Sequence, residues 1–176
     1  MSKKISELFD ECENAFRLEV LPHYIVENEA EPLKFYLEGV PLPPKNTNQD
    51  WLNRLKKASL KGQVFKRLRI MPENLTSYIK FEIEWEYVNN VASGEKIKIL
   101  PKNMIEQKVE NNLKDYWLFD DKTAFELRYD DYGKFLSVDL IKEDKVIKSC
   151  IDTKNQLWPL GIELTDYLKD YRLKIY

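Results

Sequence analysis

The sequence predicts a single α+β domain spanning residues 1–176, in which an antiparallel sheet has helices packed on one face. Residues 115–140 read DYWLFDDKTAFELRYDDYGKFLSVDL, and they contain three short segments of alternating side chains joined by two tight turns. Segments with a helical spacing of apolar residues flank this stretch on both sides. The chain has 176 residues, of which 43% are hydrophobic, which suffices for one full core but not comfortably for two.

The central strands are predicted from alternation and from their turns. Tyr116 and Leu118 alternate with other side chains, and aromatic residues are enriched, as in pleated strands. Asp130 and Gly133 mark the stronger turn, because Asp hydrogen-bonds to nearby backbone and Gly supplies a positive φ. Residues 120–122 form the other turn. Connections this short predict an antiparallel meander of strands at 116–120, 123–130 and 134–141, within the range 116–141.

Helical and strand patterns alternate along the rest of the chain. Ile5, Leu8 and Phe9 recur at helical spacing, and Ser2 can cap that helix. The segment AFRLEV switches to a period of two and ends before Pro22. Gly62 provides the C-cap of a basic amphipathic helix. These patterns predict helices at 2–14, 29–38, 48–61, 144–157 and 165–171, further strands at 15–20, 64–71 and 95–100, and a Pro-rich surface loop at 39–47.

Residues 75–91 fit two periodicities. Ile79, Phe81 and Ile83 alternate with charged residues, as in a strand, whereas Tyr78, Phe81 and Trp85 follow helical spacing. Seventeen residues are long for a strand, Asn74 or Thr76 can cap the start, and a Ser-Gly pair follows the end. We therefore predict a helix.

Composition and charge favour a cytoplasmic protein and no particular class of ligand. The 28 Lys plus Arg and 30 Asp plus Glu give a net charge of -2, whereas a nucleic-acid-binding domain is expected to be basic. The N-terminal stretch is interrupted by acidic residues, and no segment has the roughly 20 apolar residues of a membrane helix. Cys12 and Cys150 form neither a CxxC pair nor a set with a histidine, which predicts free thiols and neither a zinc site nor a disulfide framework.

The sequence shows no catalytic motif. It has no Gly-rich phosphate loop, no nucleophile elbow and no HExxH segment, and His23 is the single histidine. We therefore predict neither a cofactor nor a catalytic residue, and we favour a protein that is not an enzyme.

Two strands carry arginines on one side. Arg17 and Glu19 share a face of AFRLEV, and Arg67 and Arg69 share a face of VFKRLRI. If these strands are neighbours, their guanidinium and carboxylate groups form one cluster. Arginine is suited to bidentate recognition of phosphate or carboxylate, but a salt-bridge ladder or a buried structural pair explains the same pattern.

The other conspicuous side chains have structural explanations. The four tryptophans could stack on bases or sugars, but they lie on faces assigned to the core. The helix at 48–61, with Lys66 and Arg67 beyond it, is either a solvated face or a modest basic patch. Turn formation accounts for most of the aspartates that could otherwise ligate a divalent cation, so we expect no metal. Those aspartates are Asp115, Asp120, Asp121, Asp130 and Asp131.

The order of several motifs resembles that of the DUF6879 family, a domain of unknown function. The motifs are AFRLEV, HYIVENEAEPLKFYLEG, FKRLRIMPENLTSYIKFEIEW, ASGEKIKILPK, DYWLFDD and YDDYGKF, and the resemblance spans residues 8–138. It supplies no established reaction, but it favours the helical interpretation of 75–91. The sequence departs from the family pattern at Lys80, where Arg is usual, and at Tyr116, where Phe is usual.

The resemblance also implies a set of ligand-binding or partner-binding residues. Family genes often lie near helix-turn-helix regulators of the Xre type, which suggests a regulatory partner. Carried over motif by motif, the implied residues are Arg17, Glu19, Arg67, Arg69, Tyr78, Glu82, Glu95, Asp115, Trp117 and Asp120.

The leading functional expectation is a non-catalytic accessory protein that acts with a protein partner, either a DNA-binding regulator or a defence-type module. The first alternative is an enzyme or sensor that binds a phosphorylated small molecule or nucleotide through an Arg/Glu pocket. The second is direct binding of nucleic acid through 48–69, which would be sensitive to salt.

Overall fold

The computed structural model describes residues 5–41, 43, 47–110 and 112–174. The predicted Ser2 cap and part of the predicted 39–47 loop lie outside the described residues. Helices occur wherever the sequence predicts them. Their bounds are α1 (Ile5–Glu11), α2 (Ala30–Leu37), α3 (Gln49–Leu60), α4 (Ser77–Phe81), α5 (Val88–Ala92), α6 (Gln107–Glu110), α7 (Asp144–Leu157) and α8 (Leu164–Lys174).

The strands form one sheet. All six predicted strands are confirmed to within two residues at each end, and a two-residue strand near the C-terminus adds a seventh. Their bounds are β1 (Asn14–Glu19), β2 (Val64–Met71), β3 (Lys96–Pro101), β4 (Tyr116–Phe119), β5 (Thr123–Tyr129), β6 (Phe135–Leu140) and β7 (Ile162–Glu163), and their order in the sheet is β6-β5-β4-β1-β2-β3-β7.

The sheet is mixed, so the predicted antiparallel arrangement is confirmed only in part. β4, β5 and β6 form the predicted antiparallel meander, and β4 also runs antiparallel to β1. In contrast, β1 pairs with β2, and β2 with β3, in parallel. Helical connections lie between these strands in the chain, and a crossover of that kind returns the chain in the same direction. The antiparallel prediction was wrong for these two pairs because alternation within a strand does not reveal its direction.

Helices cover both faces of the sheet, so the prediction of one covered face also holds only in part. The even-numbered residues of β1 and β2, such as Phe16 and Leu68, face α7 and pack with its Cys150 and Leu157. Ala15 and Phe65 are on the opposite face of these strands and pack with α1 and α3. The apolar stripe of the amphipathic helix α7 is buried against the face that carries Phe16 and Leu68.

The segment at 75–91 is helical, as predicted. The hydroxyl oxygen of Thr76 accepts a hydrogen bond from the amide of Ile79 at 3.2 Å and caps α4. Between α4 and α5, residues Glu82–Tyr87 form a π-helix. Five of these six residues are buried, because the segment lies between the sheet and α2. The strand-like alternation of its sequence therefore reflects burial on several sides rather than a pleated conformation.

The two turns of the meander have the expected local chemistry. Asp120 and Asp121 adopt positive φ values of 50° and 53°, the left-handed conformation, in a turn that the amide of Lys122 closes by donating to the carbonyl oxygen of Phe119 at 2.9 Å. Asp130 Oδ1 accepts hydrogen bonds from the amides of Tyr132 and Lys134, both at 2.9 Å. Turn formation therefore accounts for these aspartates. Within the described ranges, no helix is long and apolar enough to cross a bilayer.

Candidate functional site

The predicted arginines meet in a buried ionic network. β1 and β2 are neighbours, and their register places Arg17 beside Arg67 and Glu19 beside Arg69. The condition on which the cluster depended, that the two strands are neighbours, is therefore met. The network comprises Arg17, Glu19, Arg67, Arg69, Glu82, Glu95 and Asp115, together with the hydroxyl groups of Tyr24 and Tyr87.

Arg17 connects β1 to the start of β4. Its Nη2 atom lies 2.8 Å from Asp115 Oδ1, and its Nη1 atom donates to the carbonyl oxygen of Leu18 at 2.8 Å. Its Nε atom lies 3.5 Å from Glu19 Oε1. Because β4 runs antiparallel to β1, residue 115 lies at the end of β1 where this guanidinium points. Three of its polar atoms are thus directed to groups of the protein itself.

Arg67 occupies the middle of the network. Its Nε atom donates to Glu95 Oε1 at 3.0 Å, and its Nη1 atom forms an ion pair with Glu19. Its guanidinium lies 5.9 Å from the ring centroid of Trp117, within the range of cation–π contacts. Arg17 lies 6.0 Å from the same ring. Trp117 therefore contributes packing against the two arginines, which is the role that the structure gives this predicted residue.

Arg69 is the most deeply buried member of the network, with none of its surface exposed. Its Nη2 atom donates to Glu82 Oε2 at 2.9 Å, and its Nη1 atom donates to the carbonyl oxygen of Leu21. The guanidinium also lies 5.1 Å from the ring centroid of Tyr24. A buried charge of this kind is tolerated only where it is paired and hydrogen-bonded.

Two tyrosines bind carboxylates of the network through their hydroxyl groups, and the sequence analysis did not single them out. The hydroxyl group of Tyr87 lies 2.7 Å from Glu19 Oε2 and 3.2 Å from Glu82 Oε1. The hydroxyl group of Tyr24 donates to Asp115 Oδ1 at 2.6 Å. Tyr24 follows a Pro-His pair and lies outside any periodic segment, so no sequence pattern indicated a role for it. Tyr87 belongs to the segment 75–91, whose pattern fits both a strand and a helix, and nothing in that pattern distinguishes it from its neighbours.

The π-helix explains why Glu82 and Tyr87 act together. Its i to i+5 hydrogen-bonding pattern brings residues five positions apart to one side of the helix. Glu82 and Tyr87 are five apart, and both point at the arginines of the sheet. In a regular α-helix, the neighbours on one face are three and four residues apart. The widened turn is therefore the local feature that completes the network.

Burial and ion pairing oppose each other at the carboxylates. For Glu19, burial favours the neutral acid, but Arg67 and Arg17 outweigh that effect and lower its pKa to about 2. For Glu82, burial prevails over Arg69 and raises the pKa to about 7. Burial also raises the pKa of Asp115 and of Glu95, against the opposing charges of Arg17 and Arg67. The network thus combines one carboxylate whose pKa is lowered with three whose pKa values are raised.

Four buried polar atoms around the network have no hydrogen-bond partner. They include two acceptors, Asn90 Oδ1 and Glu95 Oε2, whose side chains are interacting neighbours. The other two atoms are Arg69 Nε and Glu86 Oε1.

Two predicted site residues lie at or beyond the margin of this network. Tyr78 donates from its hydroxyl group to Glu29 Oε2 at 2.8 Å and packs near Tyr24. Asp120 is in the β4–β5 turn, where its Oδ1 atom accepts hydrogen bonds from the amides of Glu13 and Asn14 at 3.0 and 2.7 Å. Eight of the ten implied residues therefore belong to the network or pack against it. Tyr78 lies at its edge, and Asp120 lies outside it.

Replacing Glu29 with glutamine is expected to stabilise the fold more at pH 8 than at pH 4. Burial, followed by the nearby charge of Glu82, raises the pKa of Glu29 to about 8. Because an unfolded glutamate has a pKa of about 4.3, stability is greatest below that pH and is lost as the pH rises through 8. A neutral amide avoids this loss. We expect a gain of about 1–3 kcal/mol at pH 8, measured by urea unfolding.

The matched control for this prediction is Glu38→Gln. The side chain of Glu38 is 53% exposed and lies at the end of α2, close in sequence to Glu29. Its substitution should change stability by no more than about 0.5 kcal/mol at either pH. A gain for Glu29→Gln of equal size at both pH values would contradict the prediction.

The network is chemically suited to holding the fold together. The charged groups of all three arginines are directed to carboxylates and carbonyls of the protein, and Arg17 and Arg69 are at most 3% exposed. A phosphate group would have to displace those carboxylates. Among the described residues, no group of three His, Cys, Asp or Glu side chains is placed to hold a metal ion, and both cysteines are free thiols.

A family model described as "Domain of unknown function (DUF6879)" matches residues 3–169. The chain belongs to the DUF6879 family. The match includes every residue of the buried network and confirms the resemblance seen in the motifs. No curated protein matches the chain. The description of the DUF6879 family names no reaction.

Proposed function

We propose that this DUF6879 protein is a non-catalytic interaction protein that binds an extended segment of a partner protein along the free edge of β6. The observation that carries the proposal is the composition of that edge. β6 is the last strand of the sheet, and its Phe135, Leu136, Val138 and Leu140 side chains are 46%, 60%, 38% and 36% exposed. An exposed, apolar edge strand is a template for pairing with another chain.

The apolar side chains of β6 continue a face that is covered elsewhere. Val138 and Leu140 are in register with Leu127 and Phe125 of β5. Phe125 belongs to the core beneath α1 and α3, and Leu127 packs against it. A strand added beside β6 with apolar residues on this face would therefore extend an existing hydrophobic surface rather than create a new one.

The opposite face of β6 is polar. Asp139 lies 3.9 Å from Arg128 and accepts a hydrogen bond from the hydroxyl group of Ser137 at 3.0 Å. From Ser137 to Leu140, beyond the register shift opposite Arg128 and Tyr129, the two faces together select an extended segment in which apolar and polar side chains alternate. At the N-terminal end of β6, the preceding residue Lys134 already pairs with Ile25, so the accessible edge begins at Phe135.

The state of the arginines supports an interaction role over a ligand pocket in the network. Each arginine forms an ion pair with a carboxylate of the protein itself. We therefore expect a partner to bind at the surface of the protein and not at these arginines. The class of partner suggested by the family resemblance is a DNA-binding regulator. We place the protein in the cytoplasm as part of the same proposal, because both cysteines are unpaired thiols.

Site-specific photo-crosslinking in the host tests this proposal. A benzoylphenylalanine at position 136 should capture one protein, and the crosslinked peptide should be an extended segment with alternating side chains. The matched control places the same group at Leu60, which is 90% exposed at the end of α3. Val138→Lys should abolish capture from position 136, because it sets a charge in the apolar row, while leaving the melting temperature nearly unchanged.

Three results would overturn the strand-addition proposal. They are equal capture from positions 136 and 60, capture that survives Val138→Lys, and no capture at all. Crosslinking of the chain to itself, with a dimer in analytical ultracentrifugation that Val138→Lys dissolves, would replace the foreign partner with a second copy.

A further inference from the structure

A polar cavity of about 470 Å³ lies at the opposite end of β1 from Asp115 and away from the β6 edge. Its volume is within the range of sites for small molecules. The β4–β5 turn and the segment leading into β1 form part of its wall, while β2 and α7 each contribute a lysine. The charged residues of its wall are three lysines and four carboxylates: Lys66, Lys122, Lys154, Glu11, Glu13, Asp120 and Asp121.

Lys66 differs from Lys154, the lysine that α7 contributes to this wall. Among the described residues it forms no ion pair with a carboxylate, and its Nζ atom lies 5.3 Å from the ring centroid of Trp158. Lys98 Nζ lies 5.0 Å from the same ring. In the β2–β3 register, Lys66 is also directly beside Lys96. Lysines are thus concentrated where neighbouring strands would be more stable with opposite charges.

The surroundings of Lys66 work against its positive charge. Burial lowers its pKa, and Lys154, Lys96 and Lys98 lower it further. Asp121 opposes this effect, but both of its carboxylate oxygens lie 2.6 Å from Lys154 Nζ. An anion beside Lys66 would offset the positive charges that surround it.

The rest of the wall suits hydroxyl groups. The Oδ1 atom of Asp120 accepts hydrogen bonds from two backbone amides, and these bonds fix the carboxylate in the cavity wall. Asp121 is fixed by its ion pair with Lys154. Carboxylates accept hydrogen bonds from hydroxyl groups, and they repel a second phosphate. The distribution of charge therefore fits a molecule with one phosphate and several hydroxyls.

We infer that this cavity binds a small phosphorylated polyol, with its phosphate at Lys66 and its hydroxyls at Asp120 and Asp121. A nucleic-acid strand fits less well, because consecutive phosphates would meet the carboxylates of Glu13 and Asp121. This site is distinct from the arginine network and from the β6 edge. It gives Asp120, which the network leaves out, a role in ligand binding.

Isothermal titration calorimetry with ribose 5-phosphate, ribose and inorganic phosphate tests the site at constant ionic strength. Ribose 5-phosphate should bind, inorganic phosphate should bind more weakly, and ribose should give no measurable heat. Lys66→Met keeps the side-chain stem against Trp158 but removes the charge, and it should weaken ribose 5-phosphate binding at least about tenfold. Lys66→Arg should retain most of the affinity.

The matched control is Lys34→Met on α2, where the lysine side chain is 70% exposed, and it should bind like the wild type. Circular dichroism melting verifies that each variant is folded. No binding of ribose 5-phosphate, or binding unaffected by Lys66→Met, would overturn the inference. Equal affinity for phosphate and ribose 5-phosphate would refute the role of the carboxylates. Tighter binding of a 12-nucleotide single strand, abolished by Lys66→Met, would replace the polyol with nucleic acid.

Discussion

Replacing Arg69 with methionine is expected to lower the free energy of unfolding by about 3–5 kcal/mol. Arg69 is fully buried, and its guanidinium is the ion-pair partner of Glu82. The substitution keeps most of the volume but leaves a buried carboxylate without its counter-ion. Removing one member of a buried ion pair lowers the free energy of unfolding strongly, because the other charge stays buried without a partner. Replacing both members with apolar residues changes the stability much less. Urea unfolding at pH 8 measures the change.

The cost of Arg69→Met should also depend on pH. Burial raises the pKa of Glu82 to about 7 with Arg69 present, and removing the arginine raises it further. A group whose folded pKa exceeds its unfolded value contributes stability that is fully present below the unfolded pKa and is lost as the pH rises. The variant can therefore protonate Glu82 at pH 5 and relieve the unpaired charge. The destabilisation should be smaller at pH 5 than at pH 8.

Two further variants distinguish the stability lost by breaking the buried network from the stability lost by removing any arginine. The side chain of Arg128 is 63% exposed and lies 3.9 Å from Asp139, so Arg128→Met should cost no more than about 0.5 kcal/mol. Adding Glu82→Leu to Arg69→Met should recover part of the stability, because it removes the stranded carboxylate. If Arg69→Met cost less than about 1 kcal/mol at pH 8, the structural role assigned to the network would be wrong.

The network shows what a single sequence can and cannot predict about a site. The period of two in AFRLEV and VFKRLRI placed Arg17 with Glu19, and Arg67 with Arg69, because side chains alternate across any strand. Whether the two strands touch depends on the path of the chain between them, which local periodicity does not encode. That step was predicted only as a condition, and the β1–β2 register now fulfils it.

The same limit explains the errors in the fold. The meander was predictable because two short turns leave its strands no choice but to run antiparallel. The parallel pairs of β2 were not, since a helical connection is compatible with several positions in a sheet. The second covered face was missed because the stripe on α7 shows that the helix is packed but not on which side. The two residues of β7 are too short to give a pattern.

Gly133→Ala is expected to destabilise the fold by about 3–4 kcal/mol, combining backbone strain with a steric clash. Gly133 has a φ of +84°, and a Cβ atom there would lie 2.3 Å from the carbonyl oxygen of His23. The surroundings cannot easily move, because the amide of Ile25 donates to the carbonyl oxygen of Gly133 at 2.8 Å. Thermal and urea unfolding measure the loss.

Gly39→Ala isolates the backbone part of that cost. Gly39 has a nearly identical φ of +80°, but nothing lies within 4 Å of the added Cβ atom. This control should lose only the left-handed strain, about 1–2 kcal/mol. The difference between the variants then measures the close approach of the β5–β6 turn to the segment around His23. Equal losses would mean that the turn is not held against that segment, and β6 would then lack the support that fixes its edge for a partner.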